Sequence, residues 1–99
     1  MFAAAPDLNG IRELRNEHRI ETLAFLAIRP VHTVVMTSFI NDNGIESTLN
    51  RGKFFGYRNA TGTLEGVALI GHTTLLEARS GEALKALRSE EHTSELQSL

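Results

Sequence analysis

The sequence predicts an α+β fold: two N-terminal helices packed on an antiparallel β-hairpin, then a short helix. Three observations carry this. The stretch Lys53 to Leu76 reads as a hairpin, with Phe54, Phe55 and Tyr57 before the turn-forming Asn59-Ala60-Thr61-Gly62 and an unbroken apolar block, Val67-Ala68-Leu69-Ile70, after it. An unbroken block marks a strand buried on both faces, whereas a half-exposed strand alternates. Upstream, apolar residues recur at helical spacing in two segments divided by Arg29-Pro30. Finally, 99 residues limit the chain to one modest core.

Residues 1–9 read as a loose terminus that ends in the turn signal Asn9-Gly10. Ile11 to Arg15 is either a short edge strand or the lead-in to the first helix. Asn16 is a candidate N-cap, Glu17 suits the positive end of a helix dipole, and Ile20, Leu23, Ala24 and Ala27 follow at helical spacing. The first helix is therefore expected over about Glu17 to Ile28, since the residue before Pro30 is pushed out of the α region. Pro30 fits the first turn of a second helix, where its missing N–H is no loss. Val31, Val34, Val35, Ser38 and Phe39 then share one face. The β-branched run Thr33 to Thr37 argues for a strand instead; periodicity is given the greater weight. Asn41-Asp42-Asn43-Gly44 is a stop, with Gly44 available for a left-handed cap. Hairpin strands are expected at about Lys53 to Arg58 and Thr63 to Thr74. Ser80 caps a last helix, on which Ala83, Leu84 and Leu87 form a short stripe.

Composition narrows the partners. A hydrophobic share of 41% with 22% charged residues belongs to a globular chain, and a net charge of −2 with scattered arginines leaves no basic footprint for nucleic acid. With no cysteine, disulfides and thiolate chemistry are excluded. The Met1 to Pro6 start lacks a basic segment and an apolar segment of adequate length, and no stretch matches a membrane span; the expectation is a cytoplasmic protein without a membrane partner.

No motif spells out a chemistry. His18, His32, His72 and His92 contain no i, i+4 pair, so they are read as scattered side chains, with His72 after Gly71 the one to watch. Glu46, Glu65 and Glu77 are read as solvated surface charge. Gly62-Thr63-Leu64-Glu65-Gly66 has neither glycine order of a phosphate loop.

The stretch Arg88 to Ser98, RSEEHTSELQS, resembles residue for residue the translation of a common short-read sequencing adapter. Residues 88–99 are accordingly expected to be an artefactual tail, with the natural sequence interrupted after Leu87.

The order of a strand near Ile11 to Leu14, two helices split by Arg29-Pro30 and a hairpin resembles the opening β-α-α-β-β portion of the GCN5-related N-acetyltransferase (GNAT) superfamily. The phrases RPVHTVVMTSFINDNGIES, LNRGKFFGYRN and LEGVALIGHTTLLEARS resemble the N-terminal region of bacterial members, where it can also form a separate acetyltransferase-like domain. The resemblance covers residues 10–87. It implies a partial acyl-CoA N-acyltransferase-like fold and a parent enzyme that transfers an acetyl group from acetyl-CoA to an amine. In such enzymes a later strand and the turn into its helix hold the cofactor through Arg/Gln-x-x-Gly-x-Gly/Ala. Arg79-Ser80-Gly81 is too short for that pattern, so no cofactor or catalytic residue is carried over, and the chain alone is expected to be inactive. The loop Asn41 to Gly52 corresponds to a border of the acceptor cleft, which makes Asn43 and Arg51 substrate-side candidates. The implied partners are the remainder of its own domain, a following catalytic domain, or another copy meeting it along an exposed sheet edge.

Overall fold

The apolar block at Val67 to Ile70 lies in an inner strand of the sheet, and the rest of the chain is layered about it. The computed structural model describes residues 10–98; the expected loose terminus over residues 1–9 lies outside the described residues. The fold is α+β, in the order β1 (Ile11–Glu13), α1 (Arg19–Ala27), α2 (Pro30–Asn43), β2 (Gly52–Arg58), β3 (Leu64–Gly71), β4 (Leu75–Ala78) and α3 (Gly81–Ser98). Short 3-10 turns occupy Asn16–His18 and Thr48–Asn50. The strands form an antiparallel meander, β1-β2-β3-β4, with Ile11 opposite Tyr57, Phe54 opposite Leu69 and Val67 opposite Glu77.

Residues alternate across the sheet and so build two cores. Phe54, Val67, Leu69 and Leu75 meet Phe25 and Leu26 of α1 and Met36 and Ile40 of α2. On the opposite face Ala68 and Ile70, with Phe55, Tyr57 and Leu76, pack with Leu87 of α3. Leu64 and all of Gly66 to Ile70 are buried, as the unbroken block predicts. Full burial of a residue such as Leu26, Ile40 or Leu87 contributes about 1.5–3 kcal/mol. Gly66 lets α3 approach closely, because a Cβ there would lie 2.8 Å from Leu87 Cδ1 and 3.1 Å from Ala83 Cβ.

The structure corrects the predicted hairpin. The second strand ends at Gly71 instead of Thr74, and a fourth strand, β4, folds back on β3. The break falls where Gly71 passes the β2 start so closely that a Cβ would collide with the Arg51 carbonyl. Leu75-Leu76-Glu77-Ala78 has little intrinsic strand preference, so pairing with β3 decides its state.

Both N-terminal helices form, and Arg29 at φ −128°, ψ 69° leaves the helix just before Pro30, as expected. Their inward faces differ from those the spacing suggests. Thr22, Phe25 and Leu26 of α1 and Thr33, Met36 and Ile40 of α2 are buried, while Ile20, Val31, Val34 and Val35 are exposed. Apolar residues occur all round these helices, so periodicity does not select a side; the larger Phe25, Leu26, Met36 and Ile40 fill the core. Thr33 is accommodated because its hydroxyl donates to the Leu26 carbonyl at 2.6 Å and to the Arg29 carbonyl at 3.0 Å.

Two further corrections concern helix ends. Arg15, not Asn16, precedes the first turn, and Asn16 is used elsewhere. Gly44 takes the expected positive φ of 84° but an extended ψ of 173°. At the other end, the predicted short helix is 18 residues long. Ser80 caps it as expected, its Oγ accepting from the Ala83 N–H at 3.0 Å. No glycine or proline after Gly81 stops it, so the backbone stays helical through residues 88–98.

Candidate functional site

The loop after α2 forms one wall of an open cleft of about 960 Å³. Glu46, Ser47, Thr48 and Arg51 line it from the loop, facing Lys53 of β2, His72 of the β3–β4 turn and Glu91 of α3. Of the two substrate-side candidates, Arg51 is a lining residue. It is exposed and sits at φ 62°, a left-handed conformation uncommon for a residue with a Cβ. Its carbonyl accepts from the His72 N–H at 3.1 Å, which ties the loop to the β3–β4 turn.

Asn43 is not among the lining residues. Its Nδ2 donates to Asn50 Oδ1 at 2.9 Å, and buried Asn50 donates in turn to the carbonyls of Gly44 at 2.9 Å and Ile45 at 3.2 Å. Asn43 thus braces the loop from behind. A second clasp comes from Asn16, whose Oδ1 accepts from the Ile45 N–H at 3.0 Å and the Glu46 N–H at 3.1 Å. Glu46 reciprocates by accepting from the Asn16 N–H at 2.7 Å. The residue that resembled a helix cap is the pin joining the β1–α1 and α2–β2 connections.

Charge in this cleft is mixed: Arg51 and Lys53 stand with Glu13, Glu46 and Glu91. No single sign is concentrated to draw in a charged ligand. Among the described residues no group of three or more His, Asp or Glu side chains could hold a metal ion.

A second cleft, of about 540 Å³, runs along β4 where it turns into α3. Glu77, Arg79 and Ser80 line it, with Arg29 and His32 reaching in from the start of α2. Sequence reasoning missed this site because it took Glu77 for solvated charge. Glu77 is 7% exposed and pairs with Arg29, Nε to Oε2, at 3.5 Å. The signal is strand alternation, which puts Glu77 on the face of Leu75 and opposite Val67, and it becomes readable only once β4 is recognised. Glu65 is likewise engaged, accepting from Asn59 Nδ2 at 2.8 Å and Ser80 Oγ at 3.0 Å. The Arg79 guanidinium lies 4.2 Å from the centroid of the Phe25 ring.

The strand-to-helix turn therefore closes on itself. Ser80 occupies the Ala83 N–H, and Glu82 stands in the first turn of α3. A carboxylate there satisfies the helix dipole and repels a second anion. Elsewhere, Glu21 of α1 receives a two-pronged contact from Arg58 of β2, at 2.7 Å and 2.6 Å. That hydrogen bonding holds the Glu21 carboxyl below the usual carboxylate range, against an opposing push from partial burial.

His18 Nδ1 accepts from the Arg15 N–H at 2.9 Å, a local structural role, and His72 is exposed on its turn. The His92 side chain lies outside the described residues. Among the described residues no helix is long and apolar enough to cross a membrane. No protein-family model, curated protein or solved structure matches this chain.

Proposed function

We propose that the chain is an acetyltransferase-like unit, with a partial acyl-CoA N-acyltransferase-like fold, from the N-terminal part of an acetyl-CoA-dependent N-acetyltransferase, and that it does not transfer acetyl groups itself. The observation that supports this reading is the order and layering of the elements. A strand, two helices joined at Arg29-Pro30 and an antiparallel meander follow one another, with α1 and α2 on one face of the sheet and α3 on the other. Within residues 10–87 the β-α-α-β-β order is followed by a further strand, β4, and the start of α3.

Its inactivity follows from the turn between β4 and α3. In the enzymes that the chain resembles, a strand turning into a helix presents free N–H groups to the pyrophosphate of the cofactor. Here the turn is Arg79-Ser80, too short for the glycine pattern, capped by its own serine and flanked by Glu65, Glu77 and Glu82. The same observation favours a second form of the reading, a non-catalytic acetyltransferase-like domain whose outer strand β4 packs against a following catalytic domain. Acetyl-CoA then belongs to the parent enzyme.

Calorimetric titration of this chain with acetyl-CoA tests the inactive unit: no binding heat is expected, and micromolar affinity overturns it. The continuous genomic reading frame past the Leu87 codon tests the parent activity. Expressed whole, it should acetylate an amine acceptor from acetyl-CoA; a stop codon close after Leu87 sinks that part.

A further inference from the structure

The outer surface of the α1–α2 layer is apolar where solvent-facing helices are normally charged. Exposure is 85% at Ile20, 62% at Ile28, 83% at Val31, 57% at Val34 and 48% at Val35. On α1 the spacing Ile20, Ala24, Ala27 puts these residues opposite the buried Thr22, Phe25 and Leu26; on α2, Val31, Val34, Val35 and Ser38 lie opposite Thr33, Met36 and Ile40. Between Glu21 and Asp42 the sequence has a single formal charge, Arg29, and that guanidinium is directed to Glu77. A helix apolar all round is one covered on both sides.

We infer that this stripe is the interface of a two-fold dimer, in which α2 of one copy crosses α2 of a second. Two features select a second copy as the occupant. A two-fold interface sets each residue near the axis against its own counterpart, so a charge there would meet its like; the α2 stripe has none, and its small β-branched side chains permit close helix approach. The area also suits: scaling ordinary isoleucine and valine surfaces by the exposures above leaves roughly 500 Å² of apolar area in the stripe, toward the upper end of the roughly 300–600 Å² of a monomer's largest patch, which is often an interaction site. That forms the apolar centre of the roughly 800 Å² that a standard interface takes from each partner. The inference does not depend on the acetyltransferase reading, which concerns the β4 edge and the start of α3.

Sedimentation equilibrium over a range of concentrations tests it. The expected species has twice the 10.9 kDa mass of the chain. Val34→Glu and, separately, Val31→Lys should each raise the dissociation constant at least tenfold while leaving the far-ultraviolet circular dichroism unchanged, because both positions are already exposed. Leu84→Glu, on α3 across the sheet, should keep the dimer. A 10.9 kDa species at every concentration overturns the inference and assigns the stripe to a different protein surface. So does a dimer that survives Val34→Glu, or one that Leu84→Glu dissolves equally.

Discussion

Thr22 and Thr33 look interchangeable in the sequence, yet their hydroxyls fare differently. Both are buried, but Thr33 Oγ1 bonds two carbonyls while Thr22 Oγ1 has no hydrogen-bond partner among the described residues. Thr22→Val should raise the unfolding free energy by about 1 kcal/mol, because it removes an unsatisfied hydroxyl at constant shape. Thr33→Val should lower it by a similar amount. Urea midpoints at unchanged slope will separate the two. Glu21 gives a second test. Its carboxyl titrates below its unfolded range when folded, so the Arg58 pair contributes its stability above the unfolded value, about pH 4.3, and loses it as pH falls through the lowered folded value. The pair is partly exposed, which keeps the effect below about 1 kcal/mol. Glu21→Gln should make that acid limb of the stability profile shallower by the share this one pair contributes. Neither distinction was legible in the sequence: Thr33 depends on how α1 ends against α2, which brings the Leu26 and Arg29 carbonyls to its hydroxyl, and Glu21 depends on Arg58, far along the chain in β2.

At the scale of elements, helix existence was legible and helix orientation was not. Pro30 and the constraint on Arg29 fix the α1–α2 joint from local sterics, and Ser80 announces α3 by its own chemistry. Which side of α1 and α2 turns inward is a tertiary choice, settled by side-chain size because the apolar pattern has no polar edge. β4 was hidden for the opposite reason, its helix-prone letters being overruled by β3. The candidate residues divide along the same line. Arg51 reaches the cleft, whereas Asn43 is a brace, a role set by the turn that brings Asn50 beneath it. Asn50→Ala should cost about 2–3 kcal/mol, as it leaves the Gly44 and Ile45 carbonyls and Asn43 without their partner; Asn43→Ala, which removes one bond, should cost about 1 kcal/mol. Thermal denaturation of the two variants checks the ranking.

For the molecule as a whole, the α+β class and the doubly buried strand were legible in the run Val67 to Ile70. The layering of helices on both faces was not, because the sequence names no face for α3 until Gly66 is seen to admit Leu87. The meander has a kinetic consequence. β2, β3 and β4 are joined through the tight connections Asn59–Thr63 and His72–Thr74, so their ladders close small loops. β1 must wait for a segment containing both helices to fold back before it can meet β2. Closure entropy grows with the length enclosed, and non-local pairings are the slow ones. The β2–β4 meander is therefore expected to form the folding nucleus, with β1 docking on the downhill side of the barrier. In stopped-flow experiments Val67→Ala should act mainly by slowing folding, and Ile11→Ala mainly by speeding unfolding. On this expectation β1, the first of the described strands, is the last to join the sheet and the first to leave it.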